Sequence, residues 1–135
     1  MINFVVQEFV PPEIYTVSGE ATIHLIHPAM IAFIESLRAN LGKPITINNW
    51  HRGGPFKYRG FRPENCGVGA GHSAHLIGKA LDFDVEGSSS ETVREYLVAN
   101  KNKYPMITRL EDSVNWVHAD CMPIDPLPRI HIFMP

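Results

Sequence analysis

The sequence predicts an α+β fold for this 135-residue chain, and three observations carry the prediction. Two segments repeat apolar residues at helical spacing, one run alternates apolar and polar residues at strand spacing, and two short β-rich runs lie close enough to form a hairpin. Hydrophobic residues at 44% and charged residues at 19% are ordinary for a packed globular chain. The length suits one domain spanning residues 1–135, with 122–135 as a proline-rich C-terminal tail.

The first helix starts at Pro28, which fits the first helical turn, and "AMIAFIESLRANLG" sets Met30, Ile31, Ile34, Leu37 and Leu41 near one face before Gly42 ends it. "KPITINNW" follows as a strand through Ile45 and Ile47. From His51 to Gly71 the chain is rich in glycine, holds Pro55 and Pro63, and carries Arg52, Lys57, Arg59 and Arg62. A loop of that length inside a domain is usually functional or disordered. "ALDFDV" then alternates, with Leu81, Phe83 and Val85 on one face and Ala80, Asp82 and Asp84 on the other. Ser88 to Ser90 introduce a second helix in which Val93, Tyr96 and Leu97 share a face, stopped before Pro105. "MITRLE" and "NWVHADC", joined by Asp112, Ser113 and Val114, read as a hairpin. In the tail "RIHIF" reads as an edge strand, limited by prolines on both sides.

Composition narrows the function. A formal charge of −2, from 12 basic and 14 acidic residues without a run of either sign, gives no face for nucleic acid. "MINFVVQEFVPPEIY" lacks the basic and apolar regions of a secretory signal, so synthesis in the cytosol is expected. No apolar run approaches the roughly 18 residues of a membrane span, so no membrane insertion is expected. Two cysteines, Cys66 and Cys121, do not make a disulfide framework and read as single thiols.

The chemistry concentrates in "SAHLIGKALDFD" and "WVHAD". A catalytic zinc site commonly takes three protein ligands, imidazoles with a carboxylate, and leaves one position open. His75, Asp82 and His118 offer that set, and an antiparallel sheet can bring them together. Imidazole with carboxylate suits zinc better than calcium or magnesium, which prefer oxygen ligands. By spacing alone the signal is modest. His72 reads as a loop histidine, "GVGAG" lacks the Lys-Ser/Thr ending of a phosphate-binding loop, and "GHSAH" lacks the serine-nucleophile elbow. The glycines of "GVGAG" suit a backbone that passes close to the metal site.

"SAHLIGKALD" matches the pattern Ser-x-His-x-x-Gly-x-Ala-x-Asp, and "WVHAD" the later Trp-x-His segment, of the M15 zinc peptidases. With "QEFVPPEIY" and "LRANLGKPITINNWHRGG", which resemble the opening half of short phage-type members, the resemblance covers most of residues 4–121. The tail from Met122 has no counterpart in it. The resemblance implies a Hedgehog/DD-peptidase fold, an antiparallel sheet with helices packed against it, and cleavage of peptidoglycan stem peptides. It implies Zn2+ held by His75, Asp82 and His118, with Ser73 as a hydrogen-bonding neighbour of the first.

Hydrolysis also needs a base to take a proton from water and pass it to the leaving amine. In the carboxypeptidase branch an acid stands three residues before the last histidine, where this chain has Asn115, which cannot ionise. Other members place a glutamate six or seven positions earlier, across a hairpin turn, and Glu111 occupies such a place, with Asp112, Asp84 and Asp120 as alternatives. Asp120 shares the strand face of His118 and suits orientation of its imidazole, and Asp84 has the same claim beside Asp82. Arg52 stands where the family keeps an arginine near the cleft, suited to a developing oxyanion, and Arg62 competes for it as a binder of a substrate carboxylate. Trp50 and Trp116 read as packing residues. A rival function is a zinc-stabilised module that holds cell wall without cutting it. Reaching the wall would take lysis, a holin-like partner or assembly into a virion. Which bond is cut, and oligomeric state, stay open at this level.

Overall fold

The computed structural model describes residues 1–69, 73–124 and 130–135, and in it five strands form one sheet in the order β1-β2-β4-β3-β5. These are β1 (Ile45–Thr46), β2 (Ala80–Val85), β3 (Arg109–Glu111), β4 (Val117–Asp120) and β5 (His131–Phe133). All neighbours pair antiparallel except β3 and β5, which run parallel. The architecture is α+β, as the sequence predicts, with α1 (Pro12–Ser18), α2 (Pro28–Leu41) and α3 (Ser90–Ala99) and several 3-10 turns between elements.

Register explains why the sheet has one greasy and one chemical face. Pairing sets Leu81 opposite Ala119, Phe83 opposite Val117 and Leu110 opposite Ala119, all buried. Residues facing each other across a ladder point to the same side, so these build the core. Against them lies α2, which buries Met30, Phe33, Ile34 and Leu37 and sets the Phe33 ring 6.0 Å from Phe83. On α3 the buried residues are Val93, Leu97 and Arg94. The other face carries Asp82 opposite His118, Ala80 opposite Asp120, Arg109 opposite both Asp120 and His131, and Glu111 opposite Phe133.

Local chemistry sets the helix ends. Pro28 occupies the first turn of α2, the His27 side chain accepts from the Ala29 amide, and Gly42 at φ 63° closes it in the left-handed region. The Ser89 side chain accepts from the Thr92 amide to start α3. That helix ends at Ala99, earlier than Pro105 suggests, and a 3-10 turn over Lys101–Lys103 fills the interval.

Three differences have local causes. Helix α1 escapes the periodicity argument because none of its residues is buried, so no apolar stripe marks it. Strand β1 stops at Thr46 because the Asn48 amide leaves the sheet to donate to the Glu8 carbonyl. The link between β3 and β4 runs over 112–116, longer than three residues, with Ser113 at φ 61°. Among the described residues no single helix is long and apolar enough to cross a membrane.

Candidate metal centre

The loop over 51–69 is held by the asparagine pair that precedes it. Asn48, fully buried, accepts from the Arg59 amide through Oδ1 and donates to the Val10 carbonyl, while Asn49 Oδ1 accepts from the Phe56 amide. The segment then runs beside β2, where the Asp82 amide donates to the Arg59 carbonyl over 2.7 Å. At Gly60 a Cβ would fall onto the Phe9 carbonyl, so only glycine passes there. Its own carbonyl lies 2.8 Å from His75 Nδ1.

His75 belongs to the 3-10 turn Ala74–Ile77, started by Ser73, whose hydroxyl accepts from the His75 amide. Gly78 ends the turn at φ 71°, packed so closely on the Leu25 carbonyl that a Cβ has no room. This puts His75 Nε2 3.2 Å from Asp82 Oδ1, and β4 puts His118 Nδ1 2.8 Å from the same oxygen. Ligand atoms of all three lie within 4.8 Å of one another, and all three residues are buried.

The far side of each ligand is engaged. Asp120 Oδ2 lies 2.9 Å from His118 Nε2, and the Asp120 carboxylate is gripped by Arg109 through Nε and Nη2. Asp82 Oδ2 accepts from Arg62 Nη2 over 3.0 Å, and Arg62 Nε donates to the Tyr58 carbonyl. A histidine whose second nitrogen donates to an oxygen presents its first nitrogen as a lone pair, the state a metal requires. Gly60 and Asp120 supply that oxygen to His75 and His118, so the donor set fits a divalent ion of the zinc type.

Electrostatics of the bare cluster point the same way. Burial pushes the Asp82 carboxyl up, but hydrogen bonds from His118 and His75 and their charge outweigh it and hold it well below the usual carboxylate range. Burial also works against a charged His118, yet its bonds to Asp120 and Asp82 raise it from 6.5 to about 9. For Asp120 the bonds from His118 and Arg109 outweigh burial and lower it. The two carboxylates beside His118 thus favour positive charge between them.

A cleft of about 440 Å³ opens over the cluster, lined by His75, Asp82 and His118 together with Arg62, Arg109 and Glu111. Ser73, Gly69, Trp116 and Phe133 also line it. Glu111, at the end of β3, sets Oε2 3.8 Å from His118 Nδ1. Among the described residues, Glu111 and Asp82 are the carboxylates lining this cleft.

A model of the peptidase M15 family matches residues 7–120. The chain belongs to that family. Comparison with curated proteins and with solved structures returned no match. The M15 sheet agrees with the Hedgehog/DD-peptidase fold anticipated above, and M15 membership implies a peptide substrate.

The structure gathers His75, Asp82, His118, Glu111, Arg62 and Ser73 at one cleft, with Asp120 behind His118. It does not bring Arg52 there. That residue is exposed on the 3-10 turn Trp50–Arg52, where its charge acts on Glu8, and Arg62 is the guanidinium at the cluster. Asp84 likewise does not support the cluster, because it pairs with Arg59 Nη1 at 2.8 Å. Asp112 turns toward Arg94 of α3, at 3.8 Å, and Asn115 is exposed. Trp116 differs from the packing reading in that it lines the cleft. Gly69 also lines it, whereas Ala70, Gly71 and His72 lie outside the described residues. Cys66 and Cys121 are free thiols.

Sequence reasoning missed Gly60, Arg109 and Phe133. Gly60 is one of many loop glycines, and only its contact with Phe9 singles it out. Arg109 carries a signal in hindsight, since it lies two residues before Glu111 and so shares its strand face. Phe133 has none in the motif, because it reaches the cleft only through the pairing of β5 with β3.

Proposed function

We propose that this M15 protein is a zinc peptidase that hydrolyses an amide bond in peptidoglycan stem peptides. The observation that carries the proposal is the convergence of His75, Asp82 and His118 at the floor of a cleft with Glu111 3.8 Å from His118. Zinc held by His75 Nε2, an Asp82 oxygen and His118 Nδ1 would supply Lewis acidity, polarising the scissile carbonyl and making water a better acid.

The remaining work falls to the chain. Glu111 Oε2 takes the proton that water loses as the C–O bond forms, and returns it to nitrogen as the C–N bond breaks. Its half-buried place on the cleft wall sets that carboxylate beside His118, facing the cleft. Asp120 and the Gly60 carbonyl hold both imidazoles in one tautomer, and Arg62 fixes the Asp82 carboxylate while facing the cleft where an anionic substrate group can sit. Action on the wall after release by lysis, or from within a virion, belongs to the same proposal.

The test is digestion of purified peptidoglycan by zinc-loaded protein, with released fragments identified by mass spectrometry. New amino and carboxyl termini are expected, and Glu111→Gln should lower the rate about 100-fold or more while retaining zinc. Wall binding without fragments, equal in wild type and variant, would establish a non-catalytic module instead.

A further inference from the structure

Strand β5 lies beyond residues 7–120, the part that matches the family, yet it forms part of the cleft. Parallel pairing sets Phe133 opposite Glu111, and the Asp112 amide fixes the strand by donating to the Phe133 carbonyl over 2.7 Å. The ring stands edge to face on His118, with centroids 5.5 Å apart, and the Arg109 guanidinium covers it at 4.5 Å. Pro135 extends the same wall, while Trp116 and Val68 add further apolar surface to the cleft. Ile132, the residue before Phe133, points the other way into a groove on α3 with Arg94 and Val98.

We infer that Phe133 is a specificity-determining residue: it gives the cleft an apolar wall beside Glu111 and His118 that receives an alkyl side chain of the peptide next to the scissile bond. The inference rests on the peptidase reading and adds the part of the cleft that selects the substrate. A guanidinium and an imidazole border the ring, so the part of it that lines the cleft is the surface an uncharged methyl group can cover without stripping water from a charge. Cleft geometry thereby favours alanine over glycine at the contacted position. Zinc ligation does not involve the ring, so selection and metal binding separate experimentally.

The experiment compares wild type, Phe133→Ala, Phe133→Leu and Ile132→Ala on a synthetic stem pentapeptide and on analogues with each alanine replaced in turn by glycine. Hydrolysis is followed by mass spectrometry, and binding by tryptophan fluorescence, which Trp116 in the cleft should report. We expect wild type to prefer alanine at one position. Phe133→Ala should raise KM about 5- to 10-fold and lose that preference with kcat and zinc content kept, Phe133→Leu, which keeps an apolar wall, should lose less, and Ile132→Ala should stay near wild type. Cleavage by wild type with no effect of Phe133→Ala, or equal losses in Phe133→Ala and Ile132→Ala, overturns the inference and leaves the peptidase reading standing. Neither cleavage nor binding by zinc-loaded wild type overturns both.

Discussion

At the scale of single residues, Asp82 holds the site together. Its two oxygens meet His75, His118 and Arg62 in a buried setting, so Asp82→Ala strips all three of a shared polar partner and leaves an empty volume. The expected loss is about 3 kcal/mol of stability in the metal-free protein, read from urea unfolding, together with loss of metal binding. His118 sets the pH behaviour. Because its folded value is raised to about 9 from 6.5, its contribution to the metal-free fold is complete below pH 6.5 and lost as pH rises through 9. Asp82 and Asp120 have lowered values, so their contribution is present above the ordinary carboxylate range and lost on acidification. Metal-free protein should therefore be most stable in mildly acidic solution. Near pH 7 metal must displace the proton on His118, and calorimetry in buffers of different ionisation heat should show about one proton released per metal bound.

At the scale of elements, the hairpin and the loop position the chemistry, and each is braced by one residue. Buried Arg94 of α3 donates through Nη1 to the carbonyls of Val114 and Trp116, holding the turn between Glu111 and His118. Arg94→Ala should cost about 1–3 kcal/mol in thermal or urea unfolding, and should lower turnover more than zinc affinity, because His75, Asp82 and His118 all lie outside that turn. Gly60→Ala pushes the loop from Phe9 and takes the acceptor from His75 Nδ1, so zinc affinity measured by competition with a chelator should fall about 10- to 100-fold. The strands were legible because alternation in "ALDFDV" and the spacing of "RLE" from "VHAD" report sheet faces directly. Helix α1 and the course of the loop were not, since α1 buries nothing and the loop is fixed by asparagine side chains to distant carbonyls.

At the scale of the whole molecule, the fold is a device for giving one sheet two unlike faces. The core face is fixed by α2 and α3, and the opposite face can then carry buried charge because every ligand has a second partner. His75, Asp82 and His118 could be brought together from the motif, and Glu111, which lines the cleft, was one of four carboxylates the family resemblance left open. Arg62 could not be separated from Arg52, because choosing between them depends on which way a long loop folds back on β2. Zinc at 100 times its dissociation constant should stabilise the fold by about 2.7 kcal/mol and raise Tm by several degrees, with no such rise in His75→Ala. The central claim is tested most directly by the zinc content of purified wild type, His75→Ala and Glu111→Gln, by elemental analysis. About one zinc per chain in wild type and Glu111→Gln, lost in His75→Ala, is the predicted result. No zinc in wild type after incubation with the metal, or the same zinc in His75→Ala, would contradict it.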